Sequence, residues 1–271
     1  MDAPIGSEVH KRLFCRMLLD THDPYKAAEI AWPVLPQDAL ARLRSLPFWD
    51  LAVETEGQAA ARITALAQVE HDPLLHEAIA LQAFEESRHQ CVLEAMLRHY
   101  DIPWHKEPAT DIIADPEWEF LRMGYGECFD SFFAFGLFHF ASTSGFFPAE
   151  LVQAFEPIMQ EEARHIVFFV NWAAYSQAQR AWWRRPPFAV RRLAALAVQA
   201  HTRLQMGRNA GSQNFTYAGQ DALSVALTPR LFLKTCLAEN DRRLSVYDYQ
   251  LLRPKIVPSL VRLAVSLWPR Q

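Results

Sequence analysis

The sequence predicts an all-α protein, and three observations carry that class. Ala, Leu, Glu, Gln and Arg, all good helix formers, dominate long stretches. Glycine is scarce, at 9 of 271 residues. No run of alternating β-branched residues stands next to a hairpin turn signal. Half of the chain is apolar and 12% is aromatic, so a sizeable core is available. The length suits one large domain or two small ones.

Taken in order, residues 1–46 read as N-terminal helices that pack on a central bundle. A first long helix carries the stripe Trp49, Ala52, Val53, Glu56, Ala60, Ile63, Leu66 and Ala67, and it ends at "EHDP", residues 70–73. The next repeats Leu75, Ile79, Ala83, Glu86, His89, Gln90 and Leu93 at steps of three and four. A long Pro-rich connection, "HYDIPWHKEPATDIIADP", comes after it. A third helix carries Phe120, Met123, Gly124, Glu127, Ser131, Ala134 and Phe138 and breaks at "TSGFFP", where Gly145 and Pro148 interrupt it. The fourth carries Phe155, Ile158, Met159, Glu162, His165, Ile166, Phe169 and Ala173. Residues 182–271 form a C-terminal helical extension of the same globular unit: an amphipathic helix after a Pro-Pro break, then "TPRLFLKTCLAENDRRLSVYDYQLLRP", a helix capped by Thr228 and bounded by Pro254, then an amphipathic tail.

The net charge of −4 hides a lopsided distribution. Residues 1–162 carry 27 acids and 11 bases, whereas residues 163–220 carry eight arginines and no acid. Three readings of the arginines are open: pairing with the acidic N-terminal half, contact with an anionic partner, or rest on a membrane surface through residues 180–208, with Trp182 and Trp183 at the interface. No stretch reaches the roughly 18–20 apolar residues of a membrane span. The N-terminus has no signal-peptide pattern, and Cys15, Cys91, Cys128 and Cys236 stand without a C-x-x-C pair. The expectation is a cytoplasmic protein without a zinc ribbon. There is no phosphate-binding Gly-rich loop, no nucleophile elbow and no nucleic-acid footprint.

Two pentapeptides, "EESRH" at 85–89 and "EEARH" at 161–165, differ at one position in five. Each puts Glu and His three residues apart on a helical face that is otherwise apolar: Glu86 with His89, and Glu162 with His165. A buried, unpaired carboxylate costs several kcal/mol, so it must be protonated, paired or bound to a metal. One E-x-x-H is usually a solvated face. Two on inward faces favour a metal.

Paired E-x-x-H helices of this kind resemble half of the ligand set in ferritin-like di-iron bundle cores, where two partner helices each add one Glu. Glu56 stands as far before the turn at His71 as Glu86 stands after it, and the apolar stripe points it inward. Glu54 shares its side with Asp50, Gln58 and Arg62 and reads as solvent-facing. Glu127 stands about as far before Gly145 as Glu162 stands after it. With Glu56, Glu86, His89, Glu127, Glu162 and His165, residues 47–181 resemble the ferritin-like di-iron carboxylate superfamily. The resemblance implies a ferritin-like four-helix bundle holding two iron ions, with manganese or a mixed pair as variants, and dioxygen as co-substrate.

The resemblance also implies outer roles. Glu161 would accept the second N–H of a ligating His, Glu85 would do likewise, and Arg88 and Arg164 would pair with them; surface ion pairs are the alternative. Leu93 occupies the position where a reductase-type radical tyrosine would stand, and rubrerythrin-type cysteines are absent. The long flanks favour an oxygenase or oxidase that takes a small, mostly apolar organic substrate and draws electrons from a ferredoxin or reductase. The rivals are a ferroxidase or peroxide scavenger and a metal-free helical interaction protein. In "FDSFFAFGLFHF", Phe132 and Phe138 are candidates for lining a substrate pocket, and His139 reads as structural. Pairing of two copies through exposed apolar faces is also expected.

Overall fold

The computed structural model describes residues 2–105, 113–208 and 228–267, with the side chains of 206–208 left aside. The middle of the Pro-rich connection and residues 209–227 lie outside these. Among the described residues all regular structure is helical. In chain order the α-helices are α1 (Glu8–Asp20), α2 (Gln37–Ser45), α3 (Trp49–Val69), α4 (Pro73–His99), α5 (Pro116–Thr143), α6 (Ala149–Gln153), α7 (Glu156–Gln179), α8 (Arg185–Arg208), α9 (Pro229–Leu244) and α10 (Ile256–Leu267). Short 3₁₀ turns form at Ala27–Glu29 and Trp182–Arg184.

Local chemistry sets the long helices. Asp72 caps α4 by accepting from the Leu74 and Leu75 amides, and Pro73 takes the first helical position. Lys11, buried in the first turn of α1, forms an ion pair with the same Asp72. Asp115 caps α5 through the Trp118 amide, followed by Pro116. Thr228 caps α9 through the Leu231 amide.

Helices α3 and α4 form a long antiparallel hairpin, α5 packs on α7 and on α3, and α1 crosses the outside of α4 and α7. Helices α8 and α9 flank α5. The main apolar core joins Phe14 and Leu18 of α1 to Ile63, Ile79, Phe120 and Phe168. Two close approaches need glycine. A Cβ on Gly124 would lie 2.1 Å from the Phe169 ring, and one on Gly136 would lie 2.3 Å from Cys236 Sγ of α9.

Two details depart from the sequence reading. A separate short helix, α6, stands between the Gly145 turn and α7. Helix α9 ends at Leu244, ten residues before Pro254, because Ser245 onward is tied down by Arg253, which donates to the Leu244, Tyr247, Asp248 and Leu251 carbonyls. The arginines of the 163–220 segment turn mainly inward. Arg180 pairs with Glu117, Arg191 with Asp115 and Arg203 with Asp130.

Candidate metal centre

Each helix of the α3, α4, α5, α7 set delivers an acid to one depth. Glu56, Glu86, His89 and Glu162 each offer an atom within 4.8 Å of the others. His89 Nδ1 lies 3.4 Å from Glu56, 3.6 Å from Glu86 and 3.4 Å from Glu162. His165 Nδ1 lies 2.8 Å from the other oxygen of Glu86, so Glu86 stands between the two imidazoles, whose ring centres are 5.7 Å apart. Glu127 lines the same cavity from α5, with both carboxylate oxygens buried and no hydrogen-bond partner. Thus all six expected side chains face one region. Glu54 does not: it accepts from Gln58 on the outer side of α3.

The opposite edges of both imidazoles are held in a crossed pattern. His89 Nε2 is 2.8 Å from Glu161, and His165 Nε2 is 2.8 Å from Glu85. Arg88 pairs with Glu161, while Arg164 pairs with Glu85 at 2.6 Å. Each partner therefore comes from the other helix, so α4 and α7 run antiparallel with the two pentapeptides face to face. That is the physical reason for writing the motif twice: each copy supplies two inner groups for one side and the outer acid for the other copy's histidine. All four outer residues are buried, which removes the surface-pair alternative.

This arrangement orients lone pairs. With Nε2–H donated to a carboxylate, Nδ1 is the nitrogen of each ring that faces the cluster, and it offers a lone pair there once its proton is displaced. Neither Nδ1 has a hydrogen bond of good geometry, although carboxylate oxygens lie close. Lone pairs converging from six groups in a buried place repel unless a positive charge lies between them. The charge balance agrees. Burial pushes the Glu56 carboxyl up to about 8, and burial with Glu86 and Glu162 nearby raises Glu127 well above the usual range. Burial also opposes ionisation of Glu86, yet the His165 and His89 imidazoles hold its carboxyl low. Burial works against protonated imidazoles too, but the carboxylates around His89 and His165 raise both well above the ordinary value. Protons hold this cluster together, and a divalent cation would replace them. Four carboxylates and two imidazoles are a hard donor set that suits iron or manganese.

A cavity of about 420 Å³ adjoins the cluster. At one end it is apolar, walled by Leu43, Phe48, Trp49, Phe147 and Phe155. At the other it meets Gln199 and Arg203 of α8 and Asp130. Phe138 lines it as expected. Phe132 does not: it packs with Phe232, Cys236 and Val257. Five residues after Glu127, Phe132 is turned about 140° away, whereas Phe138, eleven residues on, returns to within about 20°. His139 points to Glu239, 3.2 Å away, outside the cluster.

The sequence reading missed three contributors. His22 Nδ1 lies 2.6 Å from Glu85, and the Tyr25 hydroxyl donates to Glu161 at 3.2 Å. They belong to the segment after α1. Arg88 donates to the Asp23 and Tyr25 carbonyls of that segment, and Arg164 to the Leu18 carbonyl near the end of α1. This segment closes the outer side of the network, and its irregular backbone has no periodicity to betray it. Ser131 donates to Glu162 at 3.0 Å; it stood on the inward stripe of α5 with no role assigned. Comparison with protein-family models, with curated proteins and with solved structures gives no match.

Proposed function

We propose that the protein is a ferritin-like di-iron oxygenase or oxidase acting on a small, mostly apolar organic molecule. The observation that carries the reading is the convergence of Glu56, Glu86, His89, Glu127, Glu162 and His165 from four helices beside an apolar cavity. Glu56, Glu86, His89 and Glu162 would hold one ion, and Glu86, Glu127 and His165 would bound the place of the second. Iron there would supply the redox chemistry that reduction of dioxygen requires, with electrons from an external reductase or ferredoxin. The chain's own residues do the rest. Glu161 and Glu85 fix the tautomers of His89 and His165. Ser131 orients Glu162. The segment after α1 keeps water from the outer carboxylates. Leu43, Phe48, Trp49 and Phe155 supply an apolar surface for the substrate, whose burial replaces wall-bound water.

The test is metal loading of the purified protein with ferrous iron under argon, followed by elemental analysis and then by oxygen uptake. The expectation is about two ions per chain, the number that such a ligand set holds. Glu56→Gln should lose an ion and oxygen uptake, while Glu54→Gln should match the wild type. Metal content below about 0.3 ions per chain, or the reverse ranking of the two variants, would sink the proposal.

A further inference from the structure

Helix α8 carries apolar residues on two sides: Phe188, Ala195 and Leu196 pack into the main core, and a second set faces out. Its charged side faces the protein, where Arg191 meets Asp115 at 2.7 Å, Arg192 meets the Tyr125 hydroxyl and Gln177, and Arg203 meets Asp130. Its outward side is mainly apolar. Val190, Leu193, Val198 and Leu204 recur at helical spacing and are 39–65% exposed. Ala194 and Ala197, both exposed, lie between them, and toward the end of the helix the exposed His201 and Gln205, bonded to each other, interrupt the stripe. At the head of the helix Trp182 and Trp183 are 75% and 59% exposed, beside the exposed Arg184 and Arg185. A surface helix ordinarily turns such a stripe toward the core. An exposed apolar band of this extent on a helix roughly 36 Å long marks an interaction surface.

Charge selects the occupant. Residues 163–220 contain no acid, and the nearby acids of α5 are already engaged by Arg180, Arg191 and Arg203. A second copy laid on this face brings the same arginines and no acid to meet Arg184 or Arg185. A bilayer with anionic headgroups satisfies every part of the face. The stripe enters the acyl boundary, the two indoles sit at headgroup level, and the arginines at the helix start meet phosphates. Among the described residues no helix is long and apolar enough to cross a membrane, so the contact is one of lying on the surface. We infer that α8, with Trp182 and Trp183, seats the protein on an anionic membrane surface. Because the inner side of the same helix walls the cavity through Gln199 and Arg203, seating would also bring the cavity next to an apolar phase.

The test is co-sedimentation of the full chain with vesicles, either of phosphatidylcholine alone or of equimolar phosphatidylcholine and phosphatidylglycerol. The wild type should pellet with the mixed vesicles, and added salt should weaken the binding. Leu193→Glu with Leu204→Glu should reduce partitioning by about tenfold or more, with helical content by circular dichroism unchanged because both positions are exposed. Arg184→Gln with Arg185→Gln should reduce binding to the mixed vesicles specifically. The inference is overturned if the wild type stays in the supernatant with both lipids, if the double Glu variant binds as the wild type does, or if neutral vesicles bind equally well. It is also overturned if sedimentation velocity without lipid shows a dimer that the double Glu variant abolishes, which would assign the face to a second copy. None of these variants touches the metal-binding side chains, so the outcome is separate from that of metal loading.

Discussion

Glu161 offers the sharpest separation of structural from functional roles. Its side chain is buried and its two oxygens divide the work. One accepts from Arg88, with Arg164 3.6 Å away; the other accepts from His89 Nε2 at 2.8 Å and Tyr25 at 3.2 Å. Truncation in Glu161→Ala leaves the Arg88 guanidinium buried with the Asp23 and Tyr25 carbonyls as its near hydrogen-bond partners. Breaking a buried pair in this way costs about 3–5 kcal/mol. That is a large part of the total stability of an ordinary domain, about 5–15 kcal/mol. Glu161→Gln behaves differently. The amide keeps its oxygen on Arg88, the charged and stronger donor, and must turn its NH2 toward His89 Nε2. Nε2 then has to accept, so the proton moves to Nδ1 and points into the cluster. Stability should fall by about 1–3 kcal/mol, while metal affinity should fall about 10–100-fold. Denaturant unfolding of the metal-free proteins measures the first quantity, and competition with a chelating dye measures the second. If Glu161→Gln binds metal as tightly as the wild type, the crossed acids do not set the tautomers. If Glu161→Ala unfolds within about 0.5 kcal/mol of the wild type, the Arg88 pair is not structural.

The same geometry makes stability depend on pH and on close packing. Glu56, Glu127, His89 and His165 all bind protons more tightly in the folded chain than in the unfolded one, so stability of the metal-free protein should fall as pH rises from about 5 to about 8, first because the unfolded carboxyls have lost their protons and, above about 6.5, because the unfolded imidazoles have too. Metal loading should release protons and remove the decline, which denaturation at pH 6 and pH 8.5 with and without ferrous or manganous ion would check; a metal-free protein that gains stability over that range contradicts the folded protonation states. Gly124→Ala should destabilise by about 1–3 kcal/mol despite the better helix former, because the new methyl meets the buried Phe169 ring, and a thermal melt no lower than that of the wild type would show that α5 and α7 can part without cost.

Much of the site is legible from periodicity, once the resemblance says that two partner helices each add one Glu. The stripes of α3, α4, α5 and α7 place Glu56, Glu86, His89, Glu127, Glu162 and His165 on inward faces, and the turn positions place them at one depth. A helix repeats every 3.6 residues, so direction and depth along a helix are properties of the sequence. The same arithmetic ranks Glu56 over Glu54. Extended to Phe132, it turns that ring away from Glu127 and toward α9, against its expected place in the pocket wall. The end of α9 at Leu244 is not legible, since it depends on carbonyls that Arg253 reaches only after the chain folds back.

The helical class, the repeated pentapeptide and the inward acids were settled by the chain's own order of residues, because these are local consequences of spacing, composition and capping. Partnership was left to the packing of the folded molecule. Packing crossed Glu85 to His165 and Glu161 to His89, brought His22 and Tyr25 from an irregular segment onto the outer acids, and turned Arg191, Arg192 and Arg203 of α8 inward while a mainly apolar side faces out. Each of these pairs groups far apart in the chain, whose meeting depends on how helices lie on one another. Spacing within one helix carries no information about which face of another will lie against it.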